Sequence, residues 1–218
     1  MSSSREQTRR QLIDELSTTL EPSPTRLSPA RIALAWLLAS VVFVVLAFVT
    51  TGPFRWSFAP GPPTMVGTLE LVVGLLVVAL AAGAAFELSV PGPVSAWRRA
   101  WPALALTVVW LGLLGWRAYA LDGGVEGSVR RSLCTFHGIG VLVPPFVLAM
   151  VLLARRAAFK PRPALALFGL AGGMLVAIAL HLGCCASPMH AFKHHVLPAL
   201  GVSILPALLA GRLVAPRR

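Results

Sequence analysis

The sequence predicts an all-α protein, a polytopic membrane bundle of six transmembrane helices preceded by a short cytoplasmic N-terminal amphipathic helix. Composition is the first reason, because 56% of the 218 residues are hydrophobic and only 12% are charged, about half the charged fraction of a typical soluble domain. The second reason is that the apolar residues fall in long blocks separated by short polar or basic breaks. Each block reaches roughly the 20 residues that a helix needs to cross about 30 Å of hydrocarbon.

The first element is a polar arm, residues 1–31, which lies ahead of the first apolar block. Residues 7–20 favour a helix with four aliphatic side chains on one side and most of the charged side chains elsewhere. The four aliphatic residues are Leu12, Ile13, Leu16 and Leu20. A helix of this kind docks on a partner protein or on a bilayer surface, and a weakly ordered tail is the alternative. Pro22 and Pro24 end the predicted helix, and Ser28 followed by Pro29 is a typical cap for the next one.

Six apolar blocks follow the arm and form the predicted transmembrane domain, residues 32–214, which leaves residues 215–218 as a cytoplasmic tail. The blocks are Ile32–Val49, Met65–Phe86, Trp101–Leu121, Leu133–Ala154, Pro163–Leu182 and Val196–Val214. Adjacent prolines at 144 and 145 predict a kink in the fourth block. Glycines at 169 and 173 predict close helix packing along the fifth.

Two further patterns concern the placement of these helices in a bilayer. Four tryptophans near helix ends are interpreted as interfacial anchors, namely Trp36, Trp97, Trp101 and Trp116.

Most of the 19 Lys and Arg residues lie in the arm, the second and fourth loops and the tail, so the positive-inside rule predicts that both termini are cytoplasmic. The net charge of +11 is thus explained by the Lys and Arg residues that keep these loops on the cytoplasmic side. Direct nucleic-acid binding is not predicted, because no recognised motif accompanies the charge.

The same topology gathers the residues with metal-binding or redox chemistry at the extracytoplasmic side. All three cysteines and all five histidines lie at the start of the fourth helix, at the end of the fifth or at the opening of the sixth. They are Cys134, His137, His181, Cys184, Cys185, His190, His194 and His195. The spacings of three residues from Cys134 to His137 and four from His190 to His194 place each pair on one helical face.

Three interpretations of this cluster are open. Imidazole and thiolate groups suit zinc, copper or haem iron, and the candidate ligands are His137, His181, Cys184, Cys185, His190, His194 and His195. Alternatively, an oxidising compartment permits Cys134 to form a disulfide with Cys184 or Cys185, which leaves one thiol free to exchange. The third interpretation is structural, with small packing residues and interfacial imidazoles.

Two charges lie within the predicted spans, Glu70 in the second and Arg117 in the third. An ionisable group inside a span is a functional candidate because its burial is costly. Glu70 lies near the outer end of its helix, where it could join the Cys/His cluster. Pairing with Arg117 and snorkelling toward the interface are the alternatives.

The chain resembles the six-helix inner-membrane anti-sigma factors of the NrsF type, and its layout is similar to that of CarR-like anti-sigma proteins. Four features carry the resemblance: residues 11–16 followed by Pro22, residues 31–38 at the first span, Cys134, and the His181 to Cys184 element. In the family this histidine and cysteine are usually adjacent, whereas Leu182 and Gly183 separate them here. Together with Cys185 and the later histidines, this departure leaves metal or haem sensing open beside thiol oxidation.

The resemblance implies a protein without catalysis in the bacterial inner membrane. Its cytoplasmic arm would hold an extracytoplasmic-function (ECF) sigma factor away from RNA polymerase and release it on a signal at the far face. Cys134 and Cys184 match the paired cysteines of the family. A membrane haem- or metal-binding oxidoreductase is the alternative function. A small transporter ranks last, because only Glu70 and Arg117 are charged within the spans and no inverted repeat stands out.

Overall fold

The computed structural model describes residues 6–8, 10–12, 15, 27–51, 65–91, 95–121, 131–155, 160–183 and 188–213. All regular structure among these residues is helical, and no strand occurs among them, which confirms the all-α prediction. The helices are α1 (Pro29–Thr51), α2 (Met65–Leu88), α3 (Ala96–Trp116), α4 (Arg131–Arg155), α5 (Pro161–Gly183), α6 (Pro188–Ala191) and α7 (Leu197–Leu213). Two π-helical segments complete the set, Arg117–Leu121 directly after α3 and Phe192–Val196 between α6 and α7.

Within the described parts of the chain, five helices, α1 to α5, are long and apolar enough to cross a membrane. Residues 188–213, where the sixth span is predicted, are helical without a break, although α7 itself has only 17 residues. The count of six spans therefore stays a prediction. In the arm, residues 6–8, 10–12 and 15 are helical and Leu12 is exposed. Ile13, Leu16 and Leu20 lie outside the described residues, so the amphipathic helix also stays a prediction.

Local sequence explains where several helices begin. Helices α1, α5 and α6 each start with a proline, whose fixed φ suits the first helical position and whose missing N–H would have no partner there. The Oγ of Ser28 accepts a hydrogen bond from the Arg31 N–H at 3.4 Å, as the predicted cap requires. The Oγ of Ser95 accepts from the Arg98 N–H in the same way, at 3.3 Å, at the start of α3.

Helix α5 is the central element of the bundle. It contacts α1, α2, α4 and α7, and most of its residues are buried, whereas the other four candidate spans are half buried or less. Its glycines permit close approach, because a Cβ on Gly172 would lie 3.0 Å from Leu142 Cδ1 of α4. The glycine stripe predicted at 169 and 173 is buried as well. Helix α5 is thus the element that packs against most of the others in the described part of the bundle.

The prediction that Trp36 is an interfacial anchor is wrong. Its side chain is 1% exposed, and its indole N–H donates to the Pro145 carbonyl oxygen of α4 at 2.9 Å. The Trp36 ring packs edge-on against Phe168 of α5, with the ring centroids 5.1 Å apart, and Phe168 packs against Phe86 of α2 at 4.6 Å. The aromatic contacts join α1, α5 and α2, and the indole hydrogen bond adds α4, near the end of the bundle that follows the arm.

The outer surfaces of α1 to α4 are apolar. Their exposed large side chains include Leu34, Leu38, Val42, Val108, Val109, Val143 and Val147. Trp97 and Trp116 are exposed at opposite ends of α3, where interfacial tryptophans are expected. An apolar exterior over helices of this length is consistent with a membrane protein.

Candidate functional site

The alternating direction of successive helices brings the start of α2, the end of α3, the start of α4 and the end of α5 to one end of the bundle. The short helix α6 and the second π segment lie at this same end, since α6 contacts the first π segment and the second π segment contacts α4 and α5. This end carries Glu70, Arg117 and the five histidines. It is the end opposite the N-terminal arm.

Three histidines lie close together on α6 and the π segment that follows it. The rings of His190 and His194 have centroids 4.8 Å apart, and His190 meets His195 edge-on at 5.2 Å. His190 and His195 are buried and His194 is half-buried. A π-helical turn inserts an extra residue into the hydrogen-bonding register and is frequent at functional sites. Here it brings the consecutive residues His194 and His195 into contact with His190.

A small cavity lies beside this histidine cluster, between α4, α5 and the start of α7. It has a volume of about 10 Å³ and is lined by Thr135, His194, His195 and apolar side chains such as Leu142 and Leu180. That space is on the order of what one water molecule needs. Both ring nitrogens of His195 are buried and make no hydrogen bond with the described residues. Thr135, the residue after Cys134, donates through its Oγ1 to the His194 carbonyl oxygen at 3.1 Å.

His137 occupies a different part of the same end. Its ring packs edge-on against Phe48 near the end of α1, with the centroids 5.3 Å apart. The predicted helical face shared by Cys134 and His137 therefore meets α1 at the position of His137. The backbone of Cys134 lies in α4, while its side chain lies outside the described residues.

The third feature of this end is a buried ion pair that joins three helices. The Arg117 guanidinium, at the start of the first π segment, donates through Nη1 to Glu70 Oε2 of α2. His181 Nε2, in the last turns of α5, lies 3.7 Å from the same Oε2. The Glu70 side chain is 3% exposed, and its other oxygen, Oε1, has no hydrogen-bond partner among the described residues. The structure thus shows Glu70 paired with Arg117 and also beside His181, one residue of the predicted Cys/His cluster.

The surroundings of this ion pair are tightly packed. The indole N–H of Trp110 in α3 donates to the Glu70 carbonyl oxygen at 2.9 Å. A Cβ on Gly74, one turn further along α2, would lie 2.8 Å from Ile178 Cδ1 of α5 and 3.0 Å from Trp110 Nε1. Helices α2, α3 and α5 are consequently in close contact one turn along α2 from Glu70.

The predicted metal and disulfide chemistry is not tested by these residues. Cys184 and Cys185 lie outside the described part of the chain. Among the residues that are described, no group of three or more His, Cys, Asp or Glu side chains is arranged to hold a metal ion. Sequence reasoning missed Thr135, whereas it named Arg117 as a charge within a span and as an alternative partner of Glu70. Thr135 carried no such signal.

The chain matches the model of a known protein family. The model of the family described as NrsF, negative regulator of sigma F, matches residues 16–215. Neither the curated proteins nor the solved structures contain a match to this chain.

Proposed function

The chain belongs to the family of negative regulators of sigma F, since the match extends over nearly its whole length, and we propose that it is a membrane-bound anti-sigma factor that sequesters an ECF sigma factor. In this proposal residues 1–31 bind the sigma factor at the cytoplasmic face of the bacterial inner membrane. A signal at the Cys/His cluster on the other face releases it. The family match is the observation that carries the proposal.

The arrangement of the bundle supports a signal that crosses the membrane. The histidines, Glu70 and Arg117 lie at the end opposite the arm, and the central helix α5 extends from one end to the other. At the arm end, α5 packs through Phe168 against Trp36, two turns into the helix that directly follows the arm. A change in the tilt of α5 at its cluster end would therefore also change its contacts beside the arm.

The energy that such a switch requires is within reach of one covalent or metal bond. Moving a sigma complex from mostly bound to mostly free takes roughly 3–5 kcal/mol of differential interaction. A disulfide between Cys134 and Cys184 or Cys185 contributes about 2–4 kcal/mol, and a metal held by the cysteines and histidines contributes at least as much. Binding and release account for this role without a catalytic step.

Recovery of a sigma factor by the intact membrane protein is the test. We expect the detergent-solubilised wild-type protein to retain a sigma factor on an affinity resin, and a Leu12→Asp/Leu16→Asp variant to lose it, because the two aspartates would disrupt the predicted apolar face. Gln7→Asp is the matched control, since residue 7 lies on the opposite side of the predicted helix. If the wild-type protein recovers no sigma factor, the proposed function is wrong.

A further inference from the structure

Glu70 and Arg117 are the two charged groups that the sequence places within spans, and neither is among the predicted disulfide or metal-ligand residues. Glu70 is 2% exposed, and the two side chains form an ion pair between α2 and the end of α3. A buried ion pair contributes little net stability compared with well-packed apolar side chains of the same volume. Its presence at this position is therefore not explained by stability alone.

His181, the third residue at this contact, indicates a role for the ion pair. The oxygen of Glu70 that accepts from Arg117 also lies 3.7 Å from His181 Nε2, and Cys184 follows His181 by three residues. The pair thus connects α2 and α3 to the end of the central helix, directly before the cysteines proposed to receive the signal. Trp110, which donates to the Glu70 carbonyl oxygen, holds the backbone of α2 at this level whatever the Glu70 side chain does.

We propose that Glu70 and Arg117 are positioning residues that hold the His181 end of α5 in the sigma-retaining arrangement, so that loss of the pair favours sigma release. This inference rests on the proposed anti-sigma function and adds the residues that set its resting state. The physical reason is that neutralising one partner leaves the other charge buried without a counter-charge, and a rearrangement that exposes it is then favoured.

A charge-neutralising variant gives the direct test. With a reporter driven by the sigma factor, we expect Glu70→Gln to raise the unstimulated activity by about tenfold while the amount of protein in the membrane stays at the wild-type level. Glu70→Asp retains the carboxylate and should keep the resting activity low. A role in stability alone would not raise sigma release at an unchanged protein level.

The chain also offers a matched control. Glu87, on the same helix, pairs with Arg99 at 3.6 Å near the other end of α2, but its side chain is 55% exposed. Arg99 is about as buried as Arg117, at 17% against 19% exposed, so the two pairs differ mainly in the exposure of the carboxylate. A carboxylate in contact with solvent contributes little through its ion pair, so Glu87→Gln should leave both resting and stimulated activity unchanged. Wild-type resting and stimulated activity in Glu70→Gln, at a normal protein level, would overturn the inference.

A second variant applies if Glu70→Gln does not accumulate in the membrane. Glu70→Met/Arg117→Met removes both charges and hence the uncompensated one, so it should accumulate in the membrane. It also removes the Glu70 carboxylate that lies 3.7 Å from His181 Nε2 at the end of α5, and for that reason it should still show raised resting activity. Normal resting activity in this double variant, or its loss from the membrane as well, would show that the pair serves folding only. If the wild-type chain itself neither binds the sigma factor nor represses the reporter, the proposed function fails. If only the Glu70 variants behave like wild type, this inference alone fails.

Discussion

Gly74 lies where α2, α3 and α5 meet, and a methyl group there would contact Ile178 Cδ1 at 2.8 Å and Trp110 Nε1 at 3.0 Å. Overpacking of this kind costs about 1–3 kcal/mol, against a gain of up to about 1 kcal/mol in helix propensity when glycine becomes alanine. We expect Gly74→Ala to lower the melting temperature of the detergent-solubilised protein. It should also weaken the Trp110–Glu70 hydrogen bond.

Gly83 provides the control for this prediction, since it lies on the same helix and a Cβ there would have no atom within 4 Å. Gly83→Ala should leave the melting temperature unchanged or raise it slightly, because only the propensity gain applies. Equal losses in the two variants would contradict the close packing of α2 against α5.

Individual side chains also show where sequence reasoning stops. Trp36 lies near a helix start, which statistically favours the membrane interface, yet its burial depends on Phe168 and Pro145, more than 100 residues away in the chain. The pairing of Glu70 with Arg117 was one of several alternatives for the same reason. Composition shows that two charges lie in spans, but only the packing of α2 against α3 determines whether they meet.

At the scale of elements, hydropathy predicted most of the boundaries. The predicted block Met65–Phe86 corresponds to α2, Met65–Leu88, and Pro163–Leu182 corresponds to α5, Pro161–Gly183. The agreement has a physical cause, because hydrocarbon thickness sets the helix length. The short helix α6 and the two π segments were not predicted. Segments of four or five residues are too short to leave a periodic signal in the sequence.

The proposed disulfide would link two elements, the start of α4 and the segment that follows α5. Serine keeps the size of cysteine but forms no disulfide, so Cys134→Ser and Cys184→Ser should each disturb the release of the sigma factor on stimulation. Insertion into the membrane should be unaffected, because neither residue contributes much to the apolar length of a span. The reporter and an immunoblot of the membrane fraction measure the two effects. A normal response in both variants would remove these thiols from the mechanism.

For the whole molecule, the order of the helices around α5 was beyond sequence reasoning. The five candidate spans among the described residues are all apolar enough to face lipid, and the buried position of α5 follows from small residues such as Gly172 and Ala171 that let neighbours approach. Which block becomes central depends on the fit between helices rather than on hydropathy. The grouping of the histidines at one end was predictable, since the alternating direction of the helices alone requires it.

The orientation of the bundle in the membrane is the property on which the proposed signal depends, and the native cysteines test it. After reduction and metal removal, a membrane-impermeant maleimide should label Cys134, Cys184 or Cys185 in intact cells, because the positive-inside rule places them outside the cytoplasm. A variant without these cysteines that carries Ser3→Cys in the arm serves as the control. It should be labelled only after the cells are lysed. The reverse pattern would place the histidines and cysteines in the cytoplasm, where the cytosolic thiol pool keeps cysteines reduced, and would exclude a signal received at the outer face.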